Sequence, residues 1–295
     1  MVTLSILTPT YNRIKTLKRL YESLLRQNNK DFEWIVIDDG STDLTKEFMK
    51  EVIRCPEFKI IYKYKENGGK HRALNYGVDY ADSKLSICVD SDDWLPDNSV
   101  ETIISFYKEK CMGQNGLVGI IAKRGYVFSD RIKDLTVIET DVDRMTLYDF
   151  YFKYKCSGDT ALIYDTEILK NNKFPEYLGE KFVSENSLYF QLDQYGKMLL
   201  LNEIVYLNEY QQDGLTANYR KLLEKNPNGT AYMYYIYAAS TSKRIERMKY
   251  LGLANYYMNK TKPNCQIENT VRVKLGGMIP TCLGFIIAVI KERKE

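Results

Sequence analysis

The sequence has a single histidine, His71, and its six cysteines include no C-x-x-C pair. One histidine cannot build a multi-histidine metal site, and a Ser-His-Asp or Cys-His mechanism would depend on that residue alone. Scattered cysteines argue against a disulfide framework or a structural zinc site and suit a reducing compartment. The first residues read directly as a strand, so we expect no secretory signal and a cytoplasmic location.

Two phosphate-binding signatures and a long apolar run are also missing. The sequence contains neither G-x-G-x-x-G nor G-x-x-x-x-G-K-[ST], which argues against the usual dinucleotide and P-loop sites. Residues 275–290 form a low-charge run of 16 residues broken by glycines and a proline, whereas a membrane span needs about 20 apolar residues. The composition, 44% hydrophobic and 27% charged, is that of a globular chain with room for one large domain, or for one domain plus an appendage.

A buried strand that ends in acids is the strongest feature present. The apolar run 85–89 is followed by Asp90, Asp92 and Asp93, whose charges repel one another. A hard cation such as Mg²⁺ or Mn²⁺ would relieve this repulsion and bridge to phosphate oxygens. The alternative is a solvated acidic loop in which aspartates form turns and caps. Residues 96–97 are predicted to open the next helix.

Strands and helices alternate through the first 110 residues. Strands are predicted at 4–8, 33–37, 59–64 and 85–89, separated by helices at 14–26, 42–54 and about 70–81. This alternation predicts an α/β fold with a Rossmann-like, mostly parallel sheet flanked by helices. Polar motifs follow three of the strands, and the carboxyl ends of parallel strands meet at one edge, where ligands bind. Each motif taken alone could be only a turn or a helix cap.

Four motifs occur in order along this stretch. They are Thr8-Pro9-Thr10-Tyr11-Asn12-Arg13, Val36-Ile37-Asp38-Asp39-Gly40-Ser41-Thr42-Asp43, Asn67-Gly68-Gly69-Lys70 with Ala73 and Asn75, and Asp90-Ser91-Asp92-Asp93 with Pro96-Asp97. Together they resemble glycosyltransferase family 2, a family of inverting enzymes with the GT-A fold. The resemblance is tight over residues 1–110 and looser to about residue 216.

The resemblance implies a nucleotide-sugar site, with a UDP-sugar as the expected donor. The residues implied to bind the nucleotide are Pro9, Tyr11, Asn12, Asp39, Gly69, Lys70, Asn75, Asp90 and Ser91. Of these, the family pattern places the base by Pro9, Tyr11 and Asp39. The same resemblance implies that Asp90, Asp92 and Asp93 hold Mn²⁺ or Mg²⁺.

The phosphate contact departs from the family pattern. Many members carry an arginine immediately before the asparagine of the Gly-Gly helix, where this chain has Leu74. Lys70, His71 and Arg72 are the basic residues available in its place.

The acceptor side also departs from the pattern. Members often carry a Glu-Asp pair at the start of a helix as the source of the general base, and here the pair is Glu185-Asn186. Glu185 is therefore the first candidate for the base and Asp159 the second. The alternative for Glu185 is a first-turn acid favoured by the helix dipole. Residues 210–216 resemble the segment that closes near the nucleotide.

The last part of the chain is basic and rich in tyrosine. From residue 215 onward there are 14 Lys and Arg against 5 Asp and Glu, whereas the remainder has 28 against 34. Stacking of tyrosines on nucleic-acid bases is one interpretation, but helix packing fits better, and the acidic body disfavours a nucleic-acid partner. Residues 275–290 either lie in the interface of an anionic membrane or pack against the tyrosine-rich helices.

The sequence thus predicts a GT-A domain over residues 1–216, with a nucleotide-sugar half (1–110) and an acceptor half (111–216), and a helical C-terminal region over 217–295. We expect a metal-dependent glycosyltransferase acting on a saccharide or lipid-linked saccharide in bacterial surface polysaccharide synthesis. It would be peripheral on the inner face of the plasma membrane. The alternatives are a nucleotidyltransferase and a non-catalytic carbohydrate-binding protein on the same fold.

Overall fold

The computed structural model describes residues 2–129, 131–209 and 219–260. They form two compact units: the first runs to Lys173 and resumes at Leu192, and the second holds Phe174–Gln191 and the described residues from 219 onward. The predicted closing segment 210–216 and the predicted membrane-interface segment 275–290 lie outside the described residues. The domain boundary at residue 216 therefore stays a prediction.

Within the described residues, nine strands form one sheet in the order β3-β2-β1-β4-β8-β5-β9-β7, with β6 paired to β5. The first four strands run parallel to one another, as do β5 and β9, whereas β8 runs antiparallel to β4 and β5, β6 to β5, and β7 to β9. The mostly parallel sheet expected from the sequence is confirmed. The strands are β1 (Val2–Thr10), β2 (Phe32–Asp38), β3 (Lys59–Tyr64), β4 (Ser83–Cys88), β5 (Leu117–Phe128), β6 (Arg131–Asp134), β7 (Arg144–Met145), β8 (Thr160–Asp165) and β9 (Lys197–Asn208).

Helices flank this sheet and make up most of the second unit. In α1, Leu17, Leu20 and Leu24 recur at helical spacing, and all three are fully buried in the sheet core. The helix α4 continues into a π-helical turn, Tyr107–Cys111. The described helices are α1 (Ile14–Leu25), α2 (Thr45–Val52), α3 (Lys70–Val78), α4 (Ser99–Phe106), α5 (Leu147–Phe152), α6 (Thr166–Asn171), α7 (Glu185–Leu192), α8 (Tyr219–Lys225), α9 (Pro227–Ser240) and α10 (Arg244–Asn259).

The core lies on both faces of the central strands. Every residue of β2 is buried, which suits its apolar run 34–37 between the buried acids Glu33 and Asp38. Trp34 is the largest of the fully buried side chains. Its Nε1 donates to Thr8 Oγ1 at 3.0 Å, so its one polar group is satisfied. The ring of Tyr21 stacks on Trp34 at 5.8 Å between centroids.

Two elements differ from the sequence predictions. The helix expected to open at residues 96–97 begins at Ser99 instead, because Asp97 pairs with Arg26 at 3.1 Å and its carbonyl accepts from Asn28 N–H. The polar stretch 124–143, predicted from its sequence to be an irregular excursion, instead continues β5 to residue 128 and turns back as β6. An exposed hairpin buries little apolar surface, so its sequence carries no strand periodicity.

The tyrosine-rich helices of the second unit pack against each other. Small residues at Ala231, Ala238 and Ala254 let α9 and α10 approach closely, and the rings of Tyr234 and Tyr257 stack at 5.9 Å. The predicted C-terminal helices are thus present, with their tyrosines in contact with one another. Across the described residues, none of the helices combines the length and apolar character needed to cross a bilayer.

Asp193 provides a test of the first unit's stability. Its two carboxylate oxygens accept from the N–H groups of Leu147 and Tyr148 at the start of α5, at 2.8 and 2.9 Å. Burial raises the pKa of Asp193 to about 7. Between pH 4 and pH 7 such an acid is ionised in the unfolded chain but still protonated in the fold. Its contribution to the free energy of unfolding therefore falls as pH rises across this range.

Replacing Asp193 by asparagine removes this titration. The free energy of unfolding of Asp193→Asn, relative to wild type, should therefore rise between pH 4 and pH 7, by about 1–3 kcal/mol after allowance for partial solvent exposure. Urea unfolding of both proteins at several pH values checks this. A constant difference across that range would contradict the raised pKa.

Candidate active site

The carboxyl ends of three neighbouring strands meet at one edge of the sheet. Thr10 at the end of β1 is in register with Asp38 at the end of β2, and Leu7 of β1 is in register with Cys88 at the end of β4. The residues that follow these strands carry three of the polar motifs. The motifs therefore share one edge, which is where open α/β sheets bind ligands.

The acids after β4 form a tight turn. Asp93 N–H donates to the Asp90 carbonyl at 3.0 Å, and carboxylate oxygens of Asp90, Asp92 and Asp93 lie within 4.8 Å of one another. Carboxylate oxygens at this spacing are the ligand type that Mg²⁺ and Mn²⁺ prefer. The residues therefore fit the divalent cation expected from the sequence.

Neighbouring charges set the ionisation of this turn. Burial opposes ionisation of Asp90, but the cations of Lys70 and Arg124 hold its pKa below the usual range. Burial and the Asp90 charge raise the pKa of Asp92, and the same two causes raise that of Asp93 to about 7. Without a cation, full ionisation of all three carboxyl groups is therefore disfavoured. A bound cation would favour the ionised form of each.

Lys70 reaches this turn from the next motif. Its Nζ lies 2.5 Å from Asp90 Oδ1, and it is the first residue of α3, whose N-terminus favours anions. His71 beside it is buried. Of the three basic residues at the start of α3, Lys70 has an ion pair with the acidic turn.

The Gly-Gly turn before α3 is held by Asp39. One oxygen of the buried Asp39 carboxylate accepts from Lys65 Nζ at 2.6 Å and Gly68 N–H at 2.9 Å. The other accepts from Gly69 N–H at 2.7 Å and Asn67 Nδ2 at 3.3 Å. Gly69 has a φ of +98°, which favours glycine. Asp39, predicted to contact the base, thus also shapes the turn that precedes Lys70.

The motif after β1 is joined to the motif after β2. Pro9 is buried within β1, whereas Tyr11 is 48% exposed. Asn12 N–H donates to Ser41 Oγ at 2.9 Å, and Asn12 Oδ1 accepts from Thr42 N–H at 2.8 Å. An exposed ring beside a hydrogen-bonded turn offers a surface on which a planar base can stack.

The remaining predicted site residues differ in their burial and in the compact unit to which they belong. Asn75 on α3 and Ser91 in the acidic turn are buried. Asp159 is exposed on the first unit, and its charge contributes to the raised pKa of Arg124. Glu185 is the first residue of α7, is half-buried, and belongs to the second unit. The first unit thus gathers the predicted nucleotide and metal residues, and Glu185 lies outside it.

Two residues that sequence reasoning missed contact the acidic turn. Tyr206 of β9 donates its hydroxyl to Asp93 Oδ2 at 2.7 Å and accepts from Asp90 N–H at 3.0 Å. The guanidinium of Arg124 lies 3.6 Å from the centre of the Tyr206 ring and 3.6 Å from Asp93 Oδ2. Neither residue lies in a motif. The one signal in the sequence was that Arg124 closely follows the apolar part of β5, residues 117–122.

Glu180 and Asn226, which were also not predicted from the sequence, fix the segment before Glu185. The buried Glu180 carboxylate accepts from Asn228 N–H at 2.8 Å and Gly229 N–H at 2.9 Å, at the start of α9. In return, Asn226 Oδ1 accepts from Lys181 N–H at 2.9 Å. This reciprocal arrangement caps α9 and fixes the segment that leads into α7.

Comparison with known proteins identifies one family and several relatives. Residues 5–161 match the family described as Glycosyl transferase family 2. Glycosyltransferase GlyA of Streptococcus pneumoniae is 34% identical over 100 residues, which are 34% of this chain and 14% of GlyA. Poly(ribitol-phosphate) beta-N-acetylglucosaminyltransferase TarS of Staphylococcus aureus is 25% identical over 219 residues, 72% of this chain and 36% of TarS. The matched stretches thus span 14% and 36% of these relatives.

Two solved structures share the fold. Residues 1–349 of S. aureus TarS with UDP-GlcNAc give a TM-score of 0.63 at 19% identity, over 97% of this chain and 79% of that one. The mannosyltransferase PcManGT of Pyrobaculum calidifontis with GDP-Man and Mn²⁺ gives 0.54 at 13% identity, over 93% and 79%. At these identities the likeness shows the fold alone, and it confirms the predicted GT-A type of sheet.

Proposed function

Because this chain belongs to glycosyl transferase family 2, we propose that it transfers a sugar from a nucleotide sugar, most simply a UDP-sugar, to a hydroxyl of an acceptor saccharide. The single observation that carries the proposal is the carboxylate triplet Asp90, Asp92 and Asp93 beside Lys70, at the edge where β1 and β2 also end. The relative TarS, solved with UDP-GlcNAc, supports the choice of donor.

The nucleotide would lie along the ends of β1 and β2. Tyr11 offers an exposed ring for the base, with Pro9 and Asp39 beside it in the two motifs. Asn12 joins those motifs through Ser41 and Thr42. Asn75 and Ser91 are buried polar residues of the Gly-Gly helix and the acidic turn, and we assign both to the nucleotide side of the site.

The diphosphate would meet Lys70 and the N-terminus of α3. In the protein alone, Lys70 is paired with Asp90 at 2.5 Å. Asp90 and Asp92, with Asp93, would hold Mn²⁺ or Mg²⁺, and such an ion supplies positive charge to the leaving diphosphate. A cation on Asp90 would free the Lys70 ammonium for a phosphate oxygen, which places it to stabilise charge that grows as the glycosidic bond breaks.

Transfer needs a base on the acceptor side. The acceptor oxygen forms a bond to the anomeric carbon, the bond from that carbon to the diphosphate breaks, and the acceptor proton passes to a carboxylate. A single displacement of this kind inverts the anomeric centre. We assign the base to Glu185 at the start of α7, with Asp159 as the second candidate.

A relative and the charge of the C-terminal region bear on the acceptor and the cellular setting. We propose a saccharide or lipid-linked saccharide acceptor in bacterial surface polysaccharide synthesis. The name of the relative TarS, a poly(ribitol-phosphate) transferase, supports a polymeric acceptor. The basic C-terminal region, with 14 Lys and Arg against 5 Asp and Glu, suits an anionic membrane surface on the cytoplasmic side.

The direct test is incubation with a panel of nucleotide sugars, led by UDP-GlcNAc, in the presence of Mn²⁺ and short saccharide acceptors. Release of the nucleoside diphosphate, together with a new glycosidic linkage by mass spectrometry, is the expected result. NMR of the product should show the anomeric configuration opposite to that of the donor. Release of pyrophosphate instead would indicate nucleotidyl transfer and contradict the proposal.

Asp39→Ala should weaken UDP binding by roughly ten- to a hundredfold, because loss of a charge-assisted hydrogen bond costs about 1.5–3 kcal/mol. Calorimetric titration with UDP measures this. Titration with inorganic pyrophosphate, which has no base, separates the two roles of Asp39. A loss confined to UDP indicates base contact, whereas an equal loss for both ligands indicates that Asp39 acts through the Gly68-Gly69 turn. Unchanged affinity for UDP would contradict both.

A further inference from the structure

The acidic turn is held by residues far away in the sequence. Tyr206 Oη bonds to the Asp93 carboxylate at 2.7 Å and to the Asp90 N–H at 3.0 Å, so one hydroxyl contacts the first and last residues of the turn. Tyr206 is fully buried, so its hydroxyl is not exposed to solvent. A buried bond of this kind fixes both the backbone and a side chain of the turn.

Arg124 completes the arrangement from the neighbouring strand. It is in register with Tyr206, β5 against β9, and its guanidinium lies 3.6 Å from the centre of the Tyr206 ring. Its backbone is fixed because Arg124 N–H donates to Thr136 Oγ1 at 3.0 Å and its carbonyl accepts from Leu135 N–H at 2.9 Å. A planar cation stacked on a ring and held at its backbone is a fixed charge beside Asp93.

The three acids are therefore placed unequally. Asp93 is buried and already bonded to the Tyr206 hydroxyl, with Arg124 nearby. Asp92 is only partly buried, and Arg19 Nη2 donates to its carbonyl at 2.6 Å. Asp90 pairs with Lys70 at 2.5 Å. Tyr206 and Arg19 thus hold the backbone of the turn, and Tyr206 also holds the Asp93 carboxylate.

We infer that Tyr206 and Arg124 are positioning residues that hold the Asp90–Asp93 turn in its cation-binding shape, with Asp93 serving mainly as their anchor. Asp90 and Asp92 then supply the oxygens available to a divalent cation. This inference rests on the metal site of the proposed function and adds to it the residues that organise that site. Groups behind the ligands of a metal typically alter its affinity 10–100-fold when they are replaced.

Tyr206→Phe is the sharpest variant, since it deletes the hydroxyl and keeps the ring under Arg124. The dissociation constant for Mn²⁺, measured by electron paramagnetic resonance of the free ion, should rise roughly 10- to 100-fold. Hydrogen exchange in a peptide spanning 88–93 should quicken by roughly tenfold, because the Asp90 amide loses its acceptor. The second measurement needs neither metal nor turnover.

Tyr195→Phe is the matched control in the same unit, because it deletes a hydroxyl that donates to Asn172 Oδ1 at 2.8 Å, a contact outside the turn. It should change neither Mn²⁺ affinity nor exchange at 88–93. Arg124→Lys, which keeps the charge, should retain more Mn²⁺ affinity than Arg124→Gln. A folded Tyr206→Phe protein with wild-type Mn²⁺ affinity would overturn the inference while leaving the metal site intact. A wild-type protein that binds no Mn²⁺ would overturn both.

Discussion

Asp92→Ala should lower the rate of sugar transfer by about a thousandfold or more, because a bound cation contributes several kcal/mol to the stability of the departing charge. The Asp93 carboxylate is buried and bonded to the Tyr206 hydroxyl, whereas Asp92 is only partly buried. Its loss should therefore remove the cation without disturbing the turn. Initial rates with saturating UDP-sugar and Mn²⁺ measure the effect.

Stability separates this effect from misfolding. Burial and the Asp90 charge raise the pKa of Asp92, so its ionised form is disfavoured in the fold. Asp92→Ala should therefore melt at or above the wild-type temperature in the absence of metal. Asp97→Ala is the matched control from the same loop, since it removes only an exposed pair with Arg26. A fully active Asp92→Ala protein without added metal would contradict the site assignment.

Glu185→Gln should lower turnover by roughly 10²–10⁴-fold while leaving the affinity for the donor unchanged. Glutamine keeps the size and the hydrogen-bonding shape of the side chain but cannot accept a proton. Single-turnover kinetics with a preformed complex of enzyme and UDP-sugar isolate the chemical step. Titration of the same variant with UDP should give the wild-type dissociation constant.

Two further variants test which residue is the general base if it is not Glu185. Asp159→Asn tests the acid whose charge contributes to the raised pKa of Arg124. Asn186→Asp restores the second acid of the Glu-Asp pair that many members carry. An active Glu185→Gln protein combined with an inactive Asp159→Asn protein would move the base to Asp159.

The nucleotide half could be predicted because its signals are local. Asp90, Asp92 and Asp93 directly follow an apolar strand, so the sheet geometry alone brings them to the edge shared with Asp38 and Thr10. The same holds for Lys70, which opens a helix directly after a glycine turn. Short spacing in sequence becomes short distance in space, and no long-range packing has to be known.

The residues behind the turn could not be predicted for the opposite reason. Tyr206 bonds to Asp93 across a sequence separation of 113 residues and lies there only because β5 and β9 pair in register. From its sequence alone, Tyr206 reads as one apolar residue of a buried strand. Glu180 likewise reads as an exposed loop acid, yet it is buried as the cap of α9. The Tyr206 contact depends on the global order of the strands and the Glu180 contact on packing against α9, and periodicity encodes neither.

Calorimetric titration of the wild-type protein with UDP, in Mn²⁺ and then in EDTA, tests directly whether nucleotide binding depends on a metal at the acidic turn. UDP should bind roughly tenfold or more tightly in Mn²⁺, a gain of about 1.4 kcal/mol or more. Asp92→Ala should lose this difference. Equal affinity for UDP in Mn²⁺ and in EDTA, or a Mn²⁺ effect that persists in Asp92→Ala, would contradict a metal-dependent nucleotide-sugar site at this turn.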